Sequence, residues 1–373
     1  MRFSLFFFAF LGVMALLNYY SYKRFLKKLH PPFNTYSFII PIVLMFAEVV
    51  FVIEVMTQVL PQSPTMYYLL SASIGISFLL FVVALIYDLN LTLFKRIPYQ
   101  ESRRKFIKIA FDVTMLILAF SYLFKGLKGG LSKPILNTIN IAIKGFSHKE
   151  YTIIQLSDVH VGRTIKKAFV EELVQRVNAQ TPDMVALTGD IIDLNINEIK
   201  EDLKPLQDII APCYFILGNH EYFHGVTEAI SYIKSLGITV LINENIHIKK
   251  DDISFNLIGL SDVIGERLGE YPMDIARAYT GINNNIPTIV LAHQPKSILR
   301  LTNKACDLML SGHTHGGQIF PFGLLVMMGQ PYLAGLYQHT TKQQIFVSRG
   351  AGYWGPPIRV LAPSEISIII LKG

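Results

Sequence analysis

Twenty consecutive uncharged residues, Phe3 to Tyr22, lie between Arg2 and Lys23 at the start of a 373-residue chain. A helix rises about 1.5 Å per residue, so a run of this length covers about 30 Å, the thickness of a bilayer's hydrocarbon. The run closes on Asn18, Tyr19, Tyr20 and Tyr22 rather than on a small-residue cleavage site, so it reads as an uncleaved anchor ending in an interfacial aromatic belt. Similar runs follow at 36–60, 65–87 and 109–124, the second and third joined by Pro61-Gln62-Ser63-Pro64. The sequence therefore predicts an all-α transmembrane unit of about four helices within residues 1–145. The last run is the shortest and contains Asp112, and an interfacial helix is the alternative there. Glu48 and Glu54 fall inside the second run; they read as groups turned toward neighbouring helices, with transport as the rival reading. Lys125 through Gly130 reads as a flexible linker closing this unit.

The net charge of +7 suggests a nucleic-acid partner until it is divided along the chain. Residues 1–145 hold 15 Lys/Arg against five Asp/Glu, net +10, and the remainder holds 19 against 22, net −3. Basicity confined to short clusters between apolar runs is the mark of membrane-protein loops, not of a surface that tracks phosphates, so nucleic acid is excluded as a partner. The clusters are Lys23, Arg24, Lys27 and Lys28 in the first loop and Lys95, Arg96, Arg103, Arg104, Lys105 and Lys108 in the third. Their bias predicts both loops cytoplasmic and residues 146–373 extracytoplasmic, although Lys125, Lys128 and Lys133 count against it. If the fourth run only lies in the interface, the second domain is cytoplasmic. Mean hydropathy of +0.39 and a charged fraction of 16%, against about 25% in average soluble proteins, exclude disorder. Cys213 and Cys306 have no metal-site spacing and read as small buried hydrophobes.

After residue 150 the pattern changes to short apolar runs alternating with helical segments, an α/β layout. Strands are expected at 151–156, 184–187, 214–217, 238–242, 254–260, 287–292, 306–310, 344–348 and 366–371, with helices at 166–179, 198–210 and 226–236. Five of the runs end at once in residues able to hold a metal. These endings are Ser157-Asp158-Val159-His160, Thr188-Gly189-Asp190, Gly218-Asn219-His220, Ala292-His293 and Ser311-Gly312-His313-Thr314-His315. Ligand sites of open α/β sheets lie beyond the carboxyl ends of strands, so all five endings would converge. Half of the chain's ten histidines sit in these few positions, which is far from a chance distribution. Carboxylate, imidazole and one amide oxygen without thiolate suit hard and borderline divalent ions. About seven ligands with one shared carboxylate are what a pair of ions about 3.5–4 Å apart requires, a pair that holds a hydroxide for attack on a phosphoryl centre.

Asp158-x-His160, Gly189-Asp190-x-x-Asp193, Gly218-Asn219-His220-Glu221 and Gly312-His313-x-His315 together resemble the motif set of the calcineurin-like metallophosphoesterases. Gly316-Gly317-Gln318-Ile319, Arg349-Gly350-Ala351-Gly352 and Pro357-Ile358-Arg359 resemble its membrane-associated or exported bacterial branch. The resemblance covers about residues 150–373 and leaves the four-run leader outside it. It implies an α/β sandwich of two sheets flanked by helices over residues 146–373. It also implies two divalent ions, for which Mn, Fe, Zn and Co all suit the donors. One ion would be held by Asp158, His160, Asp190 and His315, the other by Asp190, Asn219, His293 and His313. His220 would be the non-ligand acid that protonates the leaving group.

Other residues carry weaker expectations. Asp193 reads as a partner for a histidine or for metal-bound water, or as a loop residue. Glu221 and His224 either extend the third motif or sit in solvated loop. Arg163, Arg349 and Arg359 could clamp phosphate oxygens, and Trp354 with Tyr353 could line a lipid-facing lip or pack on the core. With the anchor, the resemblance implies a membrane-bound phosphoesterase or diphosphatase whose partners are the bilayer and a phosphate-containing lipid or envelope substrate. The alternatives are a UDP-2,3-diacylglucosamine-type pyrophosphate hydrolase and, from another class, a catalytically inactive membrane sensor or scaffold, which would be expected to lack ligands.

Overall fold

The computed structural model describes residues 2–31, 33–59, 63–94 and 101–373. Leu60, the Pro61-Gln62 part of the expected turn, and Lys95 and Arg96 of the third loop lie outside these residues. The chain divides into two compact units, Met1–Leu131 with Gly355–Val360, and Ser132–Trp354 with Leu361–Gly373.

The first unit is built from α1 (Arg2–Arg24), α2 (Ile39–Thr57), α3 (Pro64–Phe94) and α4 (Glu101–Leu131). Among the described residues these four helices are long and apolar enough to cross a membrane, over Leu5–Lys28, Ile39–Thr57, Pro64–Thr92 and Lys105–Leu131. Large apolar side chains such as Phe8, Phe46 and Phe120 stand exposed on them, an arrangement suited to hydrocarbon and not to water. Polar groups turn inward instead. Glu48 of α2 is buried and accepts hydrogen bonds from Asn18 Nδ2 of α1 at 3.1 Å and Ser77 Oγ of α3 at 2.6 Å. Glu54 is buried as well. Asp112 is buried too, accepting from Tyr87 Oη at 2.7 Å and the His30 backbone N–H at 2.8 Å and pairing with Lys108 one turn away.

The stretch Lys125–Gly130 is not a linker, because α4 continues through it to Leu131. Its glycines serve close packing. A Cβ on Gly130 would collide with the Pro357 carbonyl oxygen, and one on Gly129 with that of Arg359, while the Arg359 N–H donates to Gly126 O at 2.9 Å. A Cβ on Gly75 of α3 would instead crowd the Ile358 side chain at Cδ1. Residues 355–360 thus lie against small residues of α3 and α4, a geometry that sequence punctuation alone does not distinguish from flexibility. With these residues helical, the apolar stretch of α4 gains the length that 109–124 lacks.

The second unit starts at Ser132, not near 145. Strand β1 (Ile135–Ala142) pairs in parallel with the last strand of the chain, from Ile135 opposite Glu365 to Ala142 opposite Lys372. It is a mostly exposed edge strand, so it lacks the apolar run that marks the inner strands. The unit continues through β2 (Tyr151–Leu156), α5 (Lys167–Asn178), β3 (Met184–Leu187), α6 (Ile196–Leu203), β4 (Cys213–Phe215), α7 (Asn219–Phe223), α8 (Val226–Ser235) and β5 (Thr239–Val240). The strands β6 (Glu244–Lys250), β7 (Ile253–Gly259), β8 (Thr288–Leu291), β9 (Leu308–Ser311), β10 (Gly335–Gln338), β11 (Gln344–Val347) and β12 (Glu365–Lys372) follow. They form two six-stranded mixed sheets, ordered β1-β12-β2-β3-β4-β5 and β10-β11-β9-β8-β7-β6.

The two sheets share one core, in which Ile153, Met184 and Ala186 of the first meet Leu257, Ile289, Leu291, Leu308 and Phe346 of the second. The other face of the first sheet is covered by α5, α6 and α8, whose Leu173, Val177, Ile199 and Ile233 pack on Ile154, Leu187 and Phe215. Strands buried on both faces are apolar at most positions, which is why Met-Val-Ala-Leu, Thr-Ile-Val-Leu and Leu-Met-Leu-Ser read as nearly continuous runs. The edge strands β6 and β10 are half exposed and carry no such run. Both cysteines are buried and free.

Gly130→Ala separates helix propensity from packing. Alanine is favoured over glycine in a helix by about 1 kcal/mol, but the Cβ meets a backbone oxygen that cannot swing aside. Residues 355–360 should therefore loosen, and the Arg359 amide of the full-length variant should exchange with deuterium about tenfold faster or more, one decade for each 1.4 kcal/mol lost. Unchanged exchange would show that the close approach is not required.

Candidate metal centre

The five strand endings lie at the carboxyl ends of their strands, three in the first sheet (β2, β3, β4) and two in the second (β8, β9). Asp158 (φ 53°), His160 (54°), Asp190 (53°), His313 (70°) and His315 (51°) all take left-handed backbone. For a residue with a Cβ this costs about 1–3 kcal/mol, and the cost persists only where the surroundings fix the conformation. Here it reverses the chain sharply enough to bring side chains from successive positions into one space. A Cβ on Gly218 would collide with Asp190 Oδ1, and one on Gly312 with Asp158 Oδ2. Glycine is required there to let strand ends of both sheets approach the two carboxylates.

The side chains gather into three groups whose donor atoms lie within 4.8 Å of one another: Asp158, His160 and His315; Asp190, His293 and His313; and His160, Asp193 and His220. In the first, His160 Nε2 faces His315 Nε2 at 3.1 Å, and His315 Nε2 lies 3.4 Å from Asp158 Oδ1. In the second, His293 Nε2 lies 3.0 Å from Asp190 Oδ2. Asp190 Oδ2 is also 4.0 Å from His160 Nε2, so this carboxylate stands between the first two groups. Asn219, at the start of α7, is buried with its Oδ1 lacking any hydrogen-bond partner. Buried polar atoms without partners are costly and rare in folded proteins, and an electron-pair acceptor supplied by a cation removes that cost. The donor set fits divalent ions on this ground.

Backbone contacts orient the donors. His293 Nδ1 lies 2.8 Å from Thr188 O and donates to it, which turns Nε2 toward Asp190 and the group. Asp158 accepts the His313 N–H at 2.9 Å, joining β2 to β9, and Asp190 Oδ1 accepts the His220 N–H at 2.8 Å. His220 Nδ1 sits 2.6 Å from Asp193 Oδ1. Asp193 is thus a histidine partner and not a plain loop residue.

Burial and charge act on these groups in opposition. Burial lifts the Asp158 carboxyl above its ordinary range. Burial also disfavours ionised Asp190, but the neighbouring His293 and His220 charges outweigh it and hold Asp190 well below. For His220 burial opposes the imidazolium, yet the Asp190 charge and the Asp193 hydrogen bond raise it to about 9. Burial, then the His293 charge, press His313 down to about 3, leaving the neutral imidazole that binds metals.

Glu221 is a correction. It is fully buried rather than solvated, and its carboxylate accepts the backbone N–H groups of Gly218 at 2.7 Å, Asp190 and Ile191 at 2.9 Å, and Ile192 at 3.3 Å. One side chain therefore shapes both the β3 and β4 turns. Its position three residues after Gly218 at a helix start is the capping-box spacing, a signal that would have found it. Asp262 gave no such signal; it is buried and accepts from Gln294 Nε2, next to His293, at 2.8 Å. His224 approaches Asp193 Oδ1 at 3.6 Å. Arg349 pairs with buried Glu365 at 3.6 Å, and Arg359 is buried within the segment that belongs to the helical unit. Arg163 is partly buried. Tyr353 packs on the core of the first sheet, whereas Trp354 is 53% exposed with its ring 5.9 Å from that of His220.

A family model described as calcineurin-like phosphoesterase matches residues 151–317. A protein of Helicobacter pylori named "Uncharacterized metallophosphoesterase" is 38% identical over 97% of each chain, and one of Campylobacter jejuni is 36% identical over the full length of both. "Transmembrane protein with metallophosphoesterase domain" of Bos taurus is 33% identical over 66% of this chain and 59% of its own.

Glu221→Gln should leave donors facing an amide and at least one buried N–H unsatisfied, at about 1–3 kcal/mol. Affinity for divalent metal, measured by titration of the metal-stripped variant, should fall about 10- to 100-fold. Unaltered affinity would mean that the Asp190 turn holds its shape without Glu221.

Proposed function

The chain belongs to the calcineurin-like metallophosphoesterase family, and from that premise we propose that it is a membrane-anchored, dinuclear-metal hydrolase of a phosphoester or diphosphate in a lipid or cell-envelope molecule. The observation that carries the hydrolase reading is the pair of groups Asp158–His160–His315 and Asp190–His293–His313, with Asp190 between them and His220 beside them. In this reading Asp158, His160, Asp190 and His315 hold one divalent ion, and Asp190, Asn219, His293 and His313 the other. When bound, two such ions supply Lewis acidity to the phosphoryl oxygens and acidify the attacking water.

The chain's own part in the chemistry is proton delivery. Asp193 fixes His220 through Nδ1, which leaves Nε2 free to protonate the departing oxygen. Asp193 also stabilises the charged imidazolium before transfer. The lipid or envelope substrate is supported by the four apolar helices on the same chain, which would hold the site beside a bilayer. An inactive sensor or scaffold is disfavoured, since none of the expected donors or the acid histidine is missing from the sequence.

Asp190→Asn and His220→Ala should fail in different ways. The first should lose both metals, read by elemental analysis, together with turnover. The second should keep about two metals while kcat falls about 10²–10⁴-fold, with a smaller loss on p-nitrophenyl than on alkyl esters because a good leaving group needs no acid. Two metals and normal turnover in the Asp190 variant would overturn the shared-carboxylate reading.

The Lys/Arg bias of the first and third loops supports an extracytoplasmic catalytic domain. A reporter that is active only outside the cytoplasm, fused after Gly373, should then be active. A stable but silent fusion would reverse the topology and favour a cytoplasmic pyrophosphate hydrolase of the UDP-2,3-diacylglucosamine type.

A further inference from the structure

The metal motif ending in His315 runs directly into a stretch that the chemistry above does not use. From Gly316 to Thr341 there is no Asp, Glu, Lys or Arg. Within it Leu324, Leu325, Met327 and Met328 stand 65%, 57%, 53% and 84% exposed around the helical turn Gly323–Val326. A soluble domain scatters exposed apolar residues singly, whereas four in five positions form a patch.

The patch is displayed on an anchored loop. At its start Gln318 clasps Trp354, donating from Nε2 to the Trp354 carbonyl and accepting its N–H with Oε1, both at 3.0 Å. At its end buried Gln330 accepts the Lys296 N–H at 3.0 Å and donates to Gln294 Oε1 at 3.1 Å, beside His293. The loop base is also close-packed, since a Cβ on Gly317 would collide with Gly323 Cα. Both ends are therefore tied to residues next to the metal centre, and only the tip is apolar and bare.

We propose that residues 320–328 are a membrane-docking loop, whose Leu324, Leu325, Met327 and Met328 enter the headgroup–acyl boundary of a lipid bilayer and hold the mouth of the metal centre at its surface. The proposal rests on the reading of the four helices as membrane spans. Only Ser132, Lys133 and Pro134 separate α4 from β1, a reach of about 10 Å, so a bilayer that holds α4 is always near this domain. Lipid is favoured over a protein partner because the stretch itself carries no charge with which to set the register of a protein interface. Half-exposed Trp354, clasped by Gln318 and adjacent to His220, is the side chain preferred where hydrocarbon meets water.

The test uses the full chain in vesicles of phosphatidylethanolamine and phosphatidylglycerol. Both native cysteines are buried, so a bimane label goes to an introduced one. Met328→Cys is compared with Ile210→Cys, 84% exposed on the same domain, and with Ile42→Cys, 61% exposed on α2. With lipid carrying a spin label at acyl carbon 5, emission at 328 and 42 should fall about twofold or more and emission at 210 should not, since interfacial segments lie about 5–10 Å deep. Quenching at 42 but not at 328 overturns the docking loop and leaves the spans standing. No quenching at either position overturns both. Equal quenching at 328 and 210 overturns the loop's specificity, and a crosslink between copies at 328 without quenching assigns the patch to a second copy of the chain. None of these readings depends on activity, so a failed hydrolase assignment leaves the outcome intact.

Discussion

Three buried carboxylates, Asp158, Asp190 and Glu221, and the half-buried Asp193 stand within one cluster of strand ends, and a protein interior does not tolerate such a concentration of negative charge without compensation. The structure answers the demand in two ways. Glu221 spends its oxygens on four backbone N–H groups, and Asp193 on histidines. Asp158 and Asp190 instead face imidazoles, one of which, His313, is held neutral, beside an amide oxygen left without a hydrogen-bond partner. The first pair of carboxylates shapes the turns and positions His220; the second has its charge available for cations. Strained backbone at five positions of the cluster follows from the same demand, because sharply reversed turns bring carboxylates of the first sheet and imidazoles of both sheets into one space.

How much of this the sequence discloses depends on what each residue does. Inner strands must be apolar on both faces, so β2, β3, β8 and β9 are visible as runs, and the polar residues that end them stand out by contrast. Because a metal needs several donors at once, the five endings form a pattern that no single histidine would. The edge strands β1, β6 and β10 are hidden, since a strand with one open side carries polar or charged residues like any loop. Glu221 is legible only through its capping-box spacing, three residues after Gly218. A glutamate after a strand is ordinarily solvated, and its burial follows from four amide groups that have no other acceptor.

Glycine misled in one place and informed in another. At Gly218 and Gly312 it stands in motifs where close backbone approach is the natural reading. At Gly126, Gly129 and Gly130, beside two lysines, the same residue type suggests a linker. There it permits α4 to continue while the backbone of residues 355–360 lies against it. Helix propensity argues for a break, but about 1 kcal/mol per glycine is small beside the packing that a smooth helix surface allows. A membrane-like composition strengthens this outcome, because inside hydrocarbon the helix has no water to satisfy a broken turn.

The inward-facing polar groups of the helical unit obey that rule as well. Glu48 draws one partner from α1 and one from α3, so three helices meet at a single carboxyl group. Asp112 is satisfied by Tyr87, Lys108 and the His30 backbone, which ties α3, α4 and the first loop together. In an apolar solvent, lateral association gains little from burying leucine, and a hydrogen bond across helices is one of the few directional forces available. Glu48, which reads as a possible transport group, and Asp112 therefore also specify which helices are neighbours. The catalytic domain uses the same element, a buried carboxylate shared between chain segments, for a different end. Asp190 joins the β3, β4 and β8 turns through His220 and His293, so the group that organises the fold locally is also the one around which the candidate metal donors gather.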